Sequence, residues 1–149
     1  MSKYRSKLDA VLRERERKEE EVKLQLLEMQ DLLAEGENRL SRLRRAMEAV
    51  LRDLGERQKE GMVSTELDLY HQFIKQQSEK WEEERTTVED LTHRCEKKRE
   101  EVLEASREKK MVEKIESSRK EAYLKETKKK ERDLFDDLAG RMKKGPPVA

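Results

Sequence analysis

The sequence predicts an all-α protein: two long helices that fold into an antiparallel coiled-coil hairpin, the second longer than the first and overhanging it. Three observations carry that expectation. Of 149 residues, 48% are charged and only 33% are apolar, against about 25% and 45–50% in an ordinary soluble domain, so a thick globular core cannot be filled. The apolar residues instead recur at alternating four- and three-residue intervals, the mark of helices that meet along a narrow seam and give their other faces to water. A glycine-bracketed interruption near the middle divides this pattern into two frames.

The first helix is expected over about residues 3–54. Its seam runs Val22, Leu26, Met29, Leu33, Gly36, Leu40, Leu43, Met47, Val50, Leu54. Only Gly36 breaks the apolar character, and because glycine offers no side chain to the partner helix, a thin or slightly bent place is expected there. Upstream, Leu8 and Leu12 keep the frame, but the run "RERERKEEE" at 13–21 puts Arg15 and Glu19 on it. The seam therefore weakens toward the N-terminus.

The connection is expected at about 55–65, within "GERQKEGMVSTE", where Gly55 and Gly61 bracket polar residues and Thr65 is placed to cap a helix with Asp68 three residues on. The second helix, about 66–143, carries the frame Leu67, Tyr70, Ile74, Gln77, Trp81, Glu84, Val88, Leu91, Cys95, Lys98, Val102, Ala105, Lys109, Val112. It is leaner, with four polar intrusions. Farther on, apolar residues are too sparse for a seam until Phe135, Leu138 and Met142, and Gly145, Pro146 and Pro147 close the helix before a tail at 144–149. The whole reads as one domain.

Helices joined by a short turn lie antiparallel, because the stripe nearest to the second is the one just left. At about 1.5 Å per residue the first helix is roughly 80 Å long and the second about 120 Å. Folding about residue 60 brings Val22 to the region of Lys98 and leaves everything beyond about residue 118 without an intramolecular partner. An unmated helix that ends in an apolar trio has its stability to find elsewhere.

Several function classes fall away. The longest apolar runs are far short of the ~18 residues that span a bilayer, and "MSKYRSKLDAVLRERER" lacks the apolar block of a signal peptide, so a cytoplasmic location is expected. With 36 basic and 35 acidic residues the net charge is +1, which gives no general pull toward nucleic acid or anionic lipid. Cys95 has no thiol to pair with, and His71 and His93 add no metal-ligand spacing. The glycines form no phosphate loop, the carboxylates sit beside Lys and Arg at helical spacing, and Ser64, Ser106 and Ser117 have no activating His and Asp. No enzyme, cofactor, metal or small-molecule substrate is expected.

Two clusters remain. In "KETKKKER", residues 125–132, basic side chains outnumber Glu126 and Glu131. Without interleaved aromatics this reads as a solvated face or a docking surface for an acidic protein rather than a nucleic-acid site. Half of the six aromatic residues lie in "LDLYHQFIKQQSEKW", 67–81. Tyr70, Ile74 and Trp81 fall on the seam and can seal the hairpin beside its turn, whereas Phe73 flanks it and Leu69 faces outward, near the small Ala46 and Ala49. That patch either packs on its own hairpin or also receives a partner.

The segments "ELDLYHQFI" (66–74), "KKREEVLEASREKKMVEKI" (97–115) and "KKKERDLFDDLAGRM" (128–142), with the opening "YRSKLDAVLRERERKEEE", resemble the flagellar export protein FliJ family in order, spacing and total length. The resemblance implies a two-helix coiled coil similar to the central stalk of rotary ATPases. It also implies a part of the flagellar type III export apparatus that serves motility, inserts into the hexameric export ATPase FliI, touches the cytoplasmic domain of the export gate FlhA and takes part in recycling export chaperones. Carried over by position, the ring contact falls on Leu8, Leu12, Arg107, Lys110, Met111, Phe135, Leu138 and Met142, and the gate contact on Leu43, Ala46, Val50, Tyr70 and Phe73. The protein would be a monomer when free, placed peripherally at the cytoplasmic face of the inner membrane. The sequence pattern leaves open the equivalent stalk of a virulence-type secretion system and a generic homodimeric coiled-coil scaffold.

Overall fold

In the computed structural model, which describes residue 4 and residues 6–143, helix α1 spans Asp9–Glu60 and helix α2 spans Ser64–Lys143, and no strand occurs among the described residues. The two helices pack against each other, the all-α hairpin that the seam pattern predicts. Neither helix contains proline, and their outer faces are laced with ion pairs one turn apart, such as Arg44 with Glu48, Asp90 with Arg94 and Arg85 with Glu89. Each contributes only about 0.2–0.5 kcal/mol. The ends suit the helix dipole, with Asp9 and Glu66 in the first turns and Arg57, Lys59, Arg141 and Lys143 in the last.

The helix boundaries differ from expectation, for local reasons. Helix α1 does not stop at residue 54 but runs to Glu60, and the connection shrinks to residues 61–63. Gly55 is carried inside the helix, since one glycine costs about 1 kcal/mol there and does not end it. Gly61, at φ 99°, does end it, taking the left-handed conformation that commonly follows a helix C-terminus. Thr65 is not the cap. The Val63 carbonyl accepts the Glu66 and Leu67 N–H groups at 3.1 and 3.2 Å, and α2 starts at Ser64, two residues before the start that a Thr65 cap would give. At the other end Tyr4 and Ser6 lie outside the helix, and Ser6 Oγ accepts the Leu8 N–H at 3.0 Å just before α1 begins. The expected stop at Gly145–Pro147 and the tail 144–149 lie outside the described residues.

The chain forms two compact units. In the unit of residues 20–103, Arg57 faces Glu66 at 3.9 Å, the Tyr70 hydroxyl donates to Asp53 at 2.5 Å, Arg39 pairs with Glu84 at 2.7 Å, and Lys98 donates to Gln25 at 2.8 Å. Each pair is centred between residues 61 and 62, slightly past the expected midpoint, so Lys98 meets Gln25 rather than Val22. The core is thin: Val22, Leu54 and Cys95 are 2%, 8% and 1% exposed, and the remaining seam residues are mostly half-buried. Two polar intrusions on the second frame prove useful here. Glu84 and Lys98 lay their stems along the seam and send their charged ends to Arg39, and to Gln25 and Glu101. Gly36 is buried, and the seam is not thin there as its missing side chain suggests. A Val88 methyl lies 3.1 Å from where a β-carbon would stand, so the helices meet closely and Val88 fills the space.

The unit of residues 1–19 and 104–149 is held differently. Among its described residues Ala105 and Glu19 are buried, each 5% exposed, while Leu8, Leu12 and Val112 are half-buried. Arg15 pairs with Glu108 at 2.7 Å, Lys109 with Glu19 at 3.1 Å, and the Ser6 hydroxyl donates to Glu116. The Tyr4 and Tyr123 rings meet at 5.3 Å between centroids. Contact with the segment that precedes α1 thus reaches Tyr123, past the limit expected near residue 118. From residue 128 to residue 143 every side chain is exposed.

Candidate docking surfaces

The first surface belongs to the unit of residues 20–103. Val50, Leu69, Tyr70 and Phe73 line a shallow depression of about 300 Å³. Val50 and Tyr70 come from the seam and are half-buried, whereas Leu69 and Phe73 flank it and are exposed. Of the five positions expected to meet the gate, the fold gathers Val50, Tyr70 and Phe73. Leu43 lies two turns before Val50 and half-buried, Ala46 is exposed, and neither lines the depression. Leu69 belongs to the surface although the expected contact set omits it, and its outward heptad position is the signal that marks it.

Tyr70 carries the polar edge of this surface. Its hydroxyl donates to the Asp53 carboxylate, which holds the phenol proton above its ordinary range, with partial burial adding to the effect. The folded state therefore favours protonated Tyr70. The stability this contributes is present below the unfolded value near 10 and is lost as pH rises through the raised folded value. Tyr70→Phe is expected to fall less steeply in melting temperature than the parent protein between about pH 9 and 11, which a pH series of thermal melts by circular dichroism measures.

A second depression, which sequence reasoning did not find, lies beside Trp81. Arg44, Met47, Ser78, Trp81 and Glu82 line about 340 Å³, and Glu37, Leu40 and Ser41 border an adjoining one. Trp81 does not only seal the seam, as expected: its half-buried ring stays open on one flank, with the Arg85 guanidinium 5.7 Å from its centroid. The small side chains of Ser41 and Ser78 beside so large a ring were the available signal.

The third surface lies on α2 in the other unit. Phe135, Leu138, Ala139 and Met142 share one face, with Phe135 74%, Leu138 51% and Met142 85% exposed. Lys125, Lys128, Lys129 and Arg132, together with Asp133 and Asp136, line a separate depression. Of the positions expected to meet the ATPase ring, the fold thus joins Phe135, Leu138 and Met142. Leu8 and Leu12 are half-buried, while Arg107, Lys110 and Met111 are exposed, and none of these five lines that face. Covering a large apolar side chain is worth about 1.5–3 kcal/mol, so the trio has much to gain from a partner.

Among the described residues no group of His, Cys, Asp or Glu is arranged to hold a metal ion, and no helix is long and apolar enough to cross a membrane. Cys95 is buried in the seam, where it packs as a small apolar residue. These surfaces suit protein contact by apolar side chains framed with charge. In comparison with known families, the model described as "Flagellar FliJ protein" matches residues 4–144. No curated protein and no solved structure matches the chain.

Proposed function

We propose that the chain, which belongs to the flagellar FliJ family and is a component of the flagellar export apparatus, acts without chemistry of its own as a stalk for the export ATPase. In this reading it enters the FliI hexamer, promotes the assembly and turnover of the ring, and links it to the cytoplasmic domain of the gate FlhA at the cytoplasmic face of the inner membrane. The observation that carries it is the uncovered row Phe135, Leu138 and Met142 on a fully exposed stretch of α2. A helix in water gains nothing from such a row, and a ring that encloses it does.

A hexameric ring has several nucleotide states, and an inserted helix shifts their balance only as far as it binds them differently. The chain needs no ATP site for this. It needs an asymmetric surface, and a single helix with an apolar face and a separate basic one supplies it. ATP turnover by purified FliI, measured with increasing amounts of the chain, tests the reading: stimulation that saturates supports it, and unchanged turnover at every ratio refutes it.

The gate contact is assigned to Val50, Leu69, Tyr70 and Phe73, the apolar depression of the unit of residues 20–103. Leu69 is 66% and Phe73 40% exposed, so Leu69→Ala with Phe73→Ala removes little that the free fold uses. This variant is expected to bind the FlhA cytoplasmic domain at least tenfold more weakly by calorimetry, the loss of about 1.4 kcal/mol, while its ATPase stimulation is retained. Equal binding by variant and parent protein moves the gate contact elsewhere, the Trp81 depression being the next place to look.

A further inference from the structure

Six charged side chains line one depression of about 550 Å³ on α2: Lys125, Lys128, Lys129 and Arg132, then Asp133 and Asp136. All six are exposed, and among the described residues none of them has an ion pair or a hydrogen bond. Their order along the helix accounts for this. A pair one turn apart is favoured when the carboxylate precedes the cation, as it does for Glu126 with Lys130 at 3.9 Å and for Asp137 with Arg141 at 3.5 Å. In the depression the cations come first: Lys129 precedes Asp133, and Arg132 precedes Asp136, each by four residues. Lys128 has only Lys125 and Leu124 three and four residues behind it, and Arg132 has only Lys129 and Lys128. Like charges at these spacings repel, so the free helix carries this face at a small cost in stability.

The sign of the charge changes along the helix axis. Residues 125–132 hold five cations and two carboxylates, whereas residues 133–140 hold three carboxylates and no cation. From residue 125 to residue 136 the face extends about 16 Å at 1.5 Å per residue. A polyphosphate chain or an anionic lipid surface is uniform in sign, so one end of this face would attract it and the other would repel it. A protein surface can match both ends.

We propose that this face sets the depth at which α2 seats in the export ATPase ring, with carboxylates of the ring opposite residues 125–132 and cations of the ring opposite Asp133 and Asp136. The inference rests on the stalk reading and adds to it the chemistry of the ring's inner surface. The apolar row does not fix depth by itself. Phe135, Leu138 and Met142 recur at helical spacing, and apolar contact is non-directional, so it tolerates a slide along the axis. The charged face does not, because a slide of two turns, about 11 Å, carries the aspartates to the ring carboxylates that had faced the cations. Like then stands against like.

Three full-length chains are titrated against ATP turnover by purified FliI: the parent sequence, Asp133→Asn with Asp136→Asn, and an exchanged protein with Lys129→Glu, Arg132→Glu, Asp133→Lys and Asp136→Lys. The exchange keeps the net charge at +1 and reverses only its order. It also puts the carboxylate first in two pairs four residues apart, so the exchanged protein is expected to melt no lower than the parent. Half-maximal stimulation is expected to need about threefold more of the asparagine protein and about tenfold or more of the exchanged one, the effect of a few exposed ion pairs. The concentration required should also climb more steeply with salt for the parent than for either variant. Equal concentrations for the parent and exchanged proteins would overturn the proposal. So would an asparagine protein that acts at the parent's concentration or below it, since removing acid from α2 helps if the ring surface is acidic throughout. The asparagine result decides on its own should the exchanged chain melt lower than the parent. A parent chain that leaves turnover unaltered refutes the stalk, whereas a stimulating parent matched by its variants refutes the depth setting alone.

Discussion

Changing Phe135 and Leu138 together to alanine is expected to raise the concentration of chain needed for half-maximal stimulation of the FliI ATPase by a hundredfold or more, with no change in the melting temperature beyond about 2 °C. The two halves of this result have separate causes. In the free protein Phe135 is 74% and Leu138 51% exposed, on a stretch of α2 whose every residue faces solvent, and surface substitutions of this kind shift stability by only about ±0.5 kcal/mol. Alanine also favours the helix. Inside a ring, each lost side chain forfeits about 1.5–3 kcal/mol of burial, and each 1.4 kcal/mol is a factor of ten in affinity. A titration of ATP turnover against chain concentration, with a thermal melt of the same sample, reads both. Stimulation equal to that of the parent protein would remove the apolar face from the ring contact.

Gly36→Leu is expected to destabilise the protein by about 1–3 kcal/mol, although the heptad pattern invites an apolar residue at that position. The invitation is misleading because the space is taken. A β-carbon at residue 36 would lie 3.1 Å from a Val88 methyl, 3.7 Å from the Arg39 guanidinium and 3.8 Å from the Glu84 carboxylate. Leucine would displace Val88 and press on the Arg39–Glu84 pair, which is 2.7 Å long. Helix propensity returns about 1 kcal/mol of this, and so Gly36→Ala, with far less bulk, should come out close to neutral. Urea unfolding followed by circular dichroism ranks the three proteins. A higher midpoint for leucine would mean that Val88 swings aside and that the close approach of the helices is dispensable.

The register and the turn show how far a heptad pattern reaches. Alternating fours and threes identified both helices, their antiparallel pairing and a midpoint within two residues of the observed one, because only a continuous stripe can be buried by two helices. The same pattern treated Gly55 and Gly61 alike. They differ through context, since Gly55 lies within a stretch where α2 still covers α1, and Gly61 is where the chain must reverse and a positive φ is needed. Arg15 and Glu19 were legible as interruptions of the seam, but not as partners of Glu108 and Lys109. That required knowing which residue of α2 faces each of them.

The surfaces divide in the same way. Phe135, Leu138 and Met142 could be picked out by spacing alone, because residues three and four apart share a helix face whatever surrounds them. The depression at Val50, Leu69, Tyr70 and Phe73, and the one beside Trp81, are made by side chains from two helices, so their lining follows from the pairing of α1 with α2. Periodicity within one segment therefore dictated the helices, their faces and the likeness to the flagellar family. Which residues meet across the seam, whether a missing side chain leaves a gap or a close contact, and which exposed apolar groups join into a surface were decided by the pairing of segments distant in the chain. The reason is that helical repeat is a local property of the backbone, whereas the partner of each side chain is set by the register between two helices.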